Sequence, residues 1–367
     1  MKLDLYYARR FFQWFCVISG VLMTLVALID LNEQIRKFES VDLNFAELLN
    51  LTLLNTPAAL NEFLPLIMIL TTIVLFVGLA RSSELVVTRA AGRSGIRALL
   101  PPLLVALLIG LVALSTLNPI AAATANRYKE LADEYRNGSN ATLSLSGEGL
   151  WLRQGTPEGQ SVIHAQGYLG LGDEIALRGV SILEYTGSSG PKTRILADSA
   201  VLVGDAWVLT NAKVWPLTVG FVPESASKTH ESLRIATTLT SERIRDTIGA
   251  TEGISIYDLP QTIRDLANAG FSTKRYEVLL QIELARPVFL MSMVLVGAAF
   301  TMRHARFGGT GIAVLAAVLL GFGLYFIRNF AQILGENGQI PIALSAWAPP
   351  VASIMLTLGL LLHAEDG

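Results

Sequence analysis

The chain has 367 residues, of which 52% are apolar, and a formal net charge of −2 at pH 7; its mean hydropathy is +0.50. So much apolar sequence excludes an ordinary soluble domain, and the near-neutral charge argues against a nucleic-acid partner. The only cysteine, Cys16, leaves no disulfide framework and no thiolate metal centre.

A helix that crosses the ~30 Å hydrocarbon core needs about 20 apolar residues. Residues 11–31 form the first such run. It is too long for a signal peptide and has no small-residue cleavage site. Runs at 60–80 and 99–117 follow. Between them lies 81–97, RSSELVVTRAAGRSGIR, which is too polar to span. Read as a helix, it puts Arg81, Glu84 and Thr88 on one face and Leu85 and Arg89 on another. Such a helix, flat on the membrane, suits docking of a cytoplasmic protein. The other reading is a positively charged loop with a surface ion pair, which contributes little.

The third span continues as a polar helix over 121–136, ended by Asn137-Gly138. Short runs broken by turn residues then predict strands at 150–153, 161–169, 174–186, 192–203, 206–217 and 232–239. Gly204-Asp205 is a hairpin signal. Ile175 and Leu177 share one phase while Val180 and Ile182 take the other, which suggests a bulge at Gly179. The pattern predicts an antiparallel sandwich or jelly-roll; periodicity leaves open whether its interior is filled or is an open groove. A connector helix over 255–269 leads to three further spans at 279–302, 311–334 and 342–362.

The fold class is therefore an α-helical polytopic membrane protein of six spans with an inserted periplasmic all-β jelly-roll domain. Its parts are 1–136 (spans one to three with the cytoplasmic segment 81–97), 137–245 (the β domain) and 246–367 (connector and spans four to six). Lys2, Arg9 and Arg10, then Arg81, Arg89, Arg93 and Arg97, then Arg303 and Arg306 fall on one side of a six-span chain. The positive-inside rule makes that side the cytoplasm, with both termini there. Arg36 and Lys37 run against the trend.

A charge at mid-bilayer costs about 2.5–3.5 kcal/mol on insertion scales, so charges in spans need a reason. Glu283 and Arg286 precede Pro287 in span four, Arg328 lies in span five, and Asp30 closes span one ahead of Arg36 and Lys37. All fall toward the outer leaflet. One reading is a polar opening for an anionic lipid headgroup; the other is snorkelling and pairing within the bundle. Trp14 and Trp347 read as interfacial anchors.

Chemistry is sparse. The string Gly187-Ser-Ser-Gly-Pro-Lys-Thr193 lacks the spacing of a phosphate-binding loop. The four histidines have no zinc spacing, and no nucleophile–base pair or convergent carboxylates suggest a membrane enzyme. A secondary transporter would need discontinuous helices and ion ligands; Pro287 and the Gly308–Gly311 stretch are its weak hints. A non-transporting envelope-assembly adaptor is the third alternative.

Three motifs carry a resemblance. They are Ser83-Glu-Leu-Val-Val87 followed by the small pair Ala90-Ala91; Gly149-Leu-Trp151 opening the β domain; and Ile254-Ser-Ile-Tyr-Asp-Leu259 with Tyr276 and Pro287 beyond it. With the six spans, they make the whole chain resemble the LptF/LptG permease family of the bacterial lipopolysaccharide exporter, and its LptG branch in particular. The resemblance implies a non-catalytic permease subunit of an ABC transporter in the bacterial inner membrane. It implies an LptF-like sister permease, two LptB-like ATPase subunits and an LptC-like single-span protein as partners. ATP is then hydrolysed on the ATPase subunits, with no cofactor bound by this chain. It makes Arg81, Glu84, Leu85, Thr88 and Arg89 the ATPase-coupling residues, Glu84 foremost. Arg36 and Lys37 fall where the family places basic residues near lipid phosphates. Arg328 joins them as a lipopolysaccharide-binding candidate. Asp30 departs from the lysine often found nearby, and the partner's jelly-roll is taken as the main lipid route.

Overall fold

The computed structural model describes residues 2–39, 41, 43–84, 87–88, 94–137, 143–146, 149–156, 159–168, 175–185, 191–217, 224, 226–237, 253–268, 272–302 and 310–366. The chain divides into two compact units, a helical bundle and a β domain.

Among the described residues the bundle holds six helical segments long and apolar enough to cross a membrane. They are α1 (Lys2–Lys37), α2 (Phe45–Arg81), α3 (Gly95–Val112) continuing through a π-helical turn (Ala113–Leu117) into α4 (Asn118–Asn137), then α6 (Lys274–Thr301), α7 (Thr310–Glu336) and α8 (Ile342–Asp366). A shorter helix, α5 (Leu259–Asn268), precedes α6. Each predicted span is present, but α2 begins at Phe45 rather than at residue 60. Its extra turns start where the Asn44 N–H donates to Glu47 Oε2 at 2.7 Å, the carboxylate half of a capping box. Ser94 caps α3 by accepting from the Arg97 N–H at 3.3 Å.

Helix α6 is the hub: it packs on α2, α3, α7 and α8. Of its apolar window 72% is buried, against 0% for α1 and 17% for α7. Lipid offers no hydrophobic drive between helices, so close backbone approach at small residues carries the packing. Gly110 of α3 meets α6 this way. A Cβ there would lie 2.6 Å from Pro287 Cα.

The described strands are β1 (Leu143–Ser146), β2 (Gly149–Thr156), β3 (Gly159–Tyr168), β4 (Ala176–Tyr185), β5 (Pro191–Val203), β6 (Ala206–Pro216) and β7 (Lys228–Ala236). They form one seven-stranded sheet in chain order, every pair antiparallel. Among the described residues this is a meander in a single sheet, and the second sheet of the expected sandwich or jelly-roll is not seen among them. The expected connection at Gly204-Asp205 is the β5–β6 hairpin, with Gly204 at φ 63°.

The change of phase at Gly179 is real but inserts no residue. Arg178 pairs with Ser199 and Val180 with Ala197, so the register is unchanged across it. Instead the backbone turns left-handed, at φ 61° in Gly179 and again at φ 52° in Asn211 of β6. The break crosses the sheet, and Leu177 with Val180, Ala197 with Ala200, and Leu209 with Ala212 are all buried. The apolar side is thus filled: Leu150, Leu152, Ile163, Ile182 and Trp207 are each at most 1% exposed.

Gly110→Ala should lower the melting temperature of the detergent-solubilised chain. The new methyl must push α3 off the Pro287 backbone, and overpacking of that kind costs about 1–3 kcal/mol. Gly20→Ala is the control. Nothing lies within 4 Å of its Cβ position, so helix propensity alone should leave that variant equal or slightly more stable.

Candidate functional site

The segment after α2 is an elbow, and the expectation of one helix through 81–97 fails at its start. Arg81 is the exposed last residue of α2. Ser83 then adopts φ 60°, a left-handed conformation costly for a residue with a Cβ, while its N–H caps Ala80 O at 3.3 Å. A new turn starts beyond it, with the Val87 N–H donating to Ser83 O at 3.2 Å. Arg81 and Glu84 therefore do not share a helical face. Leu85 and Arg89 lie outside the described residues.

Glu84 is held by the chain itself. Arg10 Nη1 of α1 donates to both of its carboxylate oxygens, at 2.9 and 3.1 Å. The Tyr6 hydroxyl donates to Oε2 at 2.9 Å and Ser82 Oγ to Oε1 at 2.8 Å. Arg10 also donates to the Tyr6 hydroxyl at 2.5 Å. One turn on, buried Thr88 donates to Glu84 O and shares a 2.7 Å hydrogen bond with the Tyr7 hydroxyl. Thr88 thus faces α1. Partial burial pulls the Glu84 carboxyl upward, but the bonds from Ser82, Arg10 and Tyr6 outweigh it and hold its pKa below the ordinary value. With the folded value depressed, the clamp contributes fully above the unfolded carboxylate pKa of about 4.3 and is lost only as acid falls through the lower folded value. Glu84 keeps 35% of its side chain exposed.

The charges expected on the outer side do not form one cluster; the structure distributes them over three contacts. At the end of α1, Asp30 Oδ1 accepts from Asn55 Nδ2 at 2.8 Å and Gln34 Nε2 at 3.3 Å. Gln34 Oε1 accepts from the Tyr128 hydroxyl at 3.1 Å, which in turn accepts from Lys37 Nζ at 2.9 Å. The Lys37 ammonium sits 5.3 Å from the Tyr128 ring centre. Arg36 is exposed and makes no ion pair among the described residues.

The second contact is an ion pair within α6. Arg286 donates through Nε to Glu283 Oε2 at 2.9 Å and through Nη2 to Oε1. Its Nη1 reaches α2, donating to Asn61 O and Asn61 Oδ1, each at 2.9 Å. The backbone bond explains the arrangement. A helical carbonyl accepts from the N–H four residues later, and at that position stands Pro65, which has none. Arg286 supplies the missing donor. Third, the Arg328 guanidinium stands 5.1 Å from the ring centre of buried Phe289, a cation–π contact. The sequence reading places Arg10 only among the charges of one membrane side and does not reach Tyr6 or Asn61. The i−4 rule applied to Pro65 points to Asn61, whereas nothing local points to Arg10, 74 residues from its partner.

The sequence profile of the family described as lipopolysaccharide export system permease LptF/LptG matches residues 5–363. The lipopolysaccharide export system permease protein LptG of Escherichia coli strain K12 is 23% identical over 371 residues, which cover 98% of this chain and 98% of that protein. The same protein from Escherichia coli O6:H1 strain CFT073 matches to the same extent.

Arg286→Leu should destabilise the bundle by about 3–5 kcal/mol, the cost of leaving a buried charge unpaired, and Asn61 O loses its donor as well. Pro65→Ala restores an N–H to that carbonyl. In a double-mutant cycle read by thermal melting in detergent, Arg286→Leu should cost less in the Pro65→Ala background. Strict additivity would remove the carbonyl from the role assigned to Arg286.

Proposed function

The chain belongs to the LptF/LptG family of lipopolysaccharide export permeases, and on that premise we propose that it is the lipid-handling half of an ATP-driven exporter. It is a multi-pass inner-membrane protein. In this reading it pairs with an LptF-like sister permease and an LptC-like single-span protein. It draws lipopolysaccharide from the outer leaflet and passes it toward the outer membrane. Two LptB-like subunits below the bilayer hydrolyse the ATP, and this chain binds no cofactor. Burying each CH₂ contributes about 0.8 kcal/mol, so withdrawing a multi-acyl lipid from a bilayer needs such an external energy source.

The observation that carries the reading is the elbow. It joins α2 and α3 at the end where the N-terminal turns of α1 also sit, so Arg10, Arg81 and Glu84 share one side of the bundle. That grouping supports a cytoplasmic placement of the N-terminus and elbow. A motor that docks on the elbow pushes on α2 and α3 through the backbone, and on α1 through Arg10 and Tyr6. Rigid-body motion of these helices then closes a lipid cavity. Arg36 and Lys37, at the outer end of α1, are the cations nearest to where lipid phosphates would lie.

Glu84→Ala should lower lipid-stimulated ATP turnover of the assembled complex while the permease stays folded. Arg10→Ala separates two routes. If Glu84 acts through α1, Arg10→Ala lowers turnover to the same degree and the double variant is no worse; if Glu84 acts only on the ATPase, Arg10→Ala leaves turnover normal. Wild-type turnover in Glu84→Ala, with normal assembly, overturns the coupling role.

In the same complex, Arg36→Glu with Lys37→Glu should weaken photocrosslinking to lipopolysaccharide. Arg36→Glu alone should carry most of the loss, since Lys37 is engaged with Tyr128. Undiminished crosslinking would take both residues out of the lipid site.

A further inference from the structure

The filled side of the β-sheet uses alternate residues, and the other alternates line a cavity of about 920 Å³, inside the ~300–1,000 Å³ span usual for small-molecule sites. Pairing fixes its layout. One cross-strand row runs Trp151, His164, Ser181, Leu196, Lys213. The next runs Val162, Leu183, Arg194, Trp215. Two indoles thus stand at opposite ends of a five-strand surface on which Val162, Leu183 and Leu196 alternate with polar side chains.

Both indoles are held in place. Trp151, 37% exposed, lies with its ring centre 4.3 Å from that of His164. Trp215 Nε1 donates to Glu224 Oε2 at 2.8 Å, and Lys213 Nζ sits 4.9 Å from its ring centre while bonding Glu224 Oε1 at 2.5 Å. Asn211 Nδ2 donates to Asp198 Oδ2 at 2.9 Å on the same lining. Arg194 has no ion-pair partner among the described residues.

We infer that this surface binds a saccharide. A pyranose presents a flat face of C–H bonds that suits the electron-rich face of an indole. Its hydroxyls both donate and accept, which matches planar amide, carboxylate and guanidinium groups spaced around the rings. An acyl chain would want an unbroken apolar wall, which this lining lacks. A polyanion would want an excess of cations, whereas Asp198 and Glu224 offset Arg194 and Lys213. The inference deepens the export reading, on which it rests for its source: the ligand is the sugar portion of the exported lipid. A cell-wall glycan offers the same chemistry, and the test separates the two.

The full-length chain in detergent is titrated calorimetrically with core oligosaccharide cleaved free of lipid A, and separately with a soluble peptidoglycan fragment. Core oligosaccharide should bind saturably. Trp151→Ala and Trp215→Ala should each weaken binding at least tenfold, and Trp151→Phe, which keeps a stacking ring, should restore most of it. Binding of the peptidoglycan fragment alone keeps the saccharide site and assigns its source to the wall. Saturable binding of neither glycan overturns the inference, as does unchanged affinity in both alanine variants. Lipopolysaccharide crosslinking to the membrane helices without oligosaccharide binding sinks this site only. Oligosaccharide binding without any such crosslinking sinks the export reading and leaves the site.

Discussion

The hydrocarbon core holds no water, so each backbone carbonyl inside it needs a donor from protein. This chain places prolines within its spanning helices, at Pro57 and Pro65 of α2, Pro101 and Pro102 of α3, Pro287 of α6, and Pro349 and Pro350 of α8. Each removes a donor. At Pro65 the repair is visible, because Arg286 crosses from α6 to bond Asn61 O. An arginine in that position would be costly alone. Glu283 neutralises it, and the two bonds to Asn61 use a face of the guanidinium that the carboxylate leaves free. The hub helix is fixed to α2 by this contact, and the next residue, Pro287, is the surface on which Gly110 of α3 rests. A backbone defect in one helix thereby sets the positions of three.

Helix α1 is organised differently. Its apolar stretch is exposed at Val17, Val21, Leu25 and Leu28. Polar contacts hold its two ends: Arg10 with Glu84 and Tyr7 with Thr88 at one, Asp30 with Asn55 and Gln34 with Tyr128 at the other. Its 36 residues make a rod of about 54 Å. The residues offered to lipid phosphate sit at the far end of this rod, and this gives the elbow a mechanical line to them.

Much of this was legible in the sequence because apolar run length is a strong signal. The spans were found, although the start of α2 was not, since the residues from Phe45 onward mix polar and apolar types. The helical reading of 81–97 failed at Ser83, where a left-handed backbone occurs without the glycine that usually announces it. Strand positions followed from turn residues, and the phase change at Gly179 was visible in the alternation of Ile175, Leu177, Val180 and Ile182. Strand order was not, because the same strands can pair as a meander or as a sandwich and alternation is identical in both. The Trp151–Trp215 surface depends on that order: the two residues share one face only once five strands are laid side by side.

The geometry around Pro287 and Glu283 bears on the alternative of a secondary transporter. Such a transporter needs an interrupted helix near the midplane and a carboxylate able to exchange an ion. Helix α6 runs unbroken through Pro287 from Lys274 to Thr301. Both oxygens of Glu283 accept from Arg286, which is itself bound to α2, so this carboxylate is engaged within the bundle. Asp30 keeps a buried Oδ2 without a partner among the described residues, but it stands near the C-terminal end of α1 rather than in the middle of a span. These carboxylates are committed to holding helices together: Glu283 ties α6 to α2 through Arg286, and Asp30 ties α1 to α2 through Asn55.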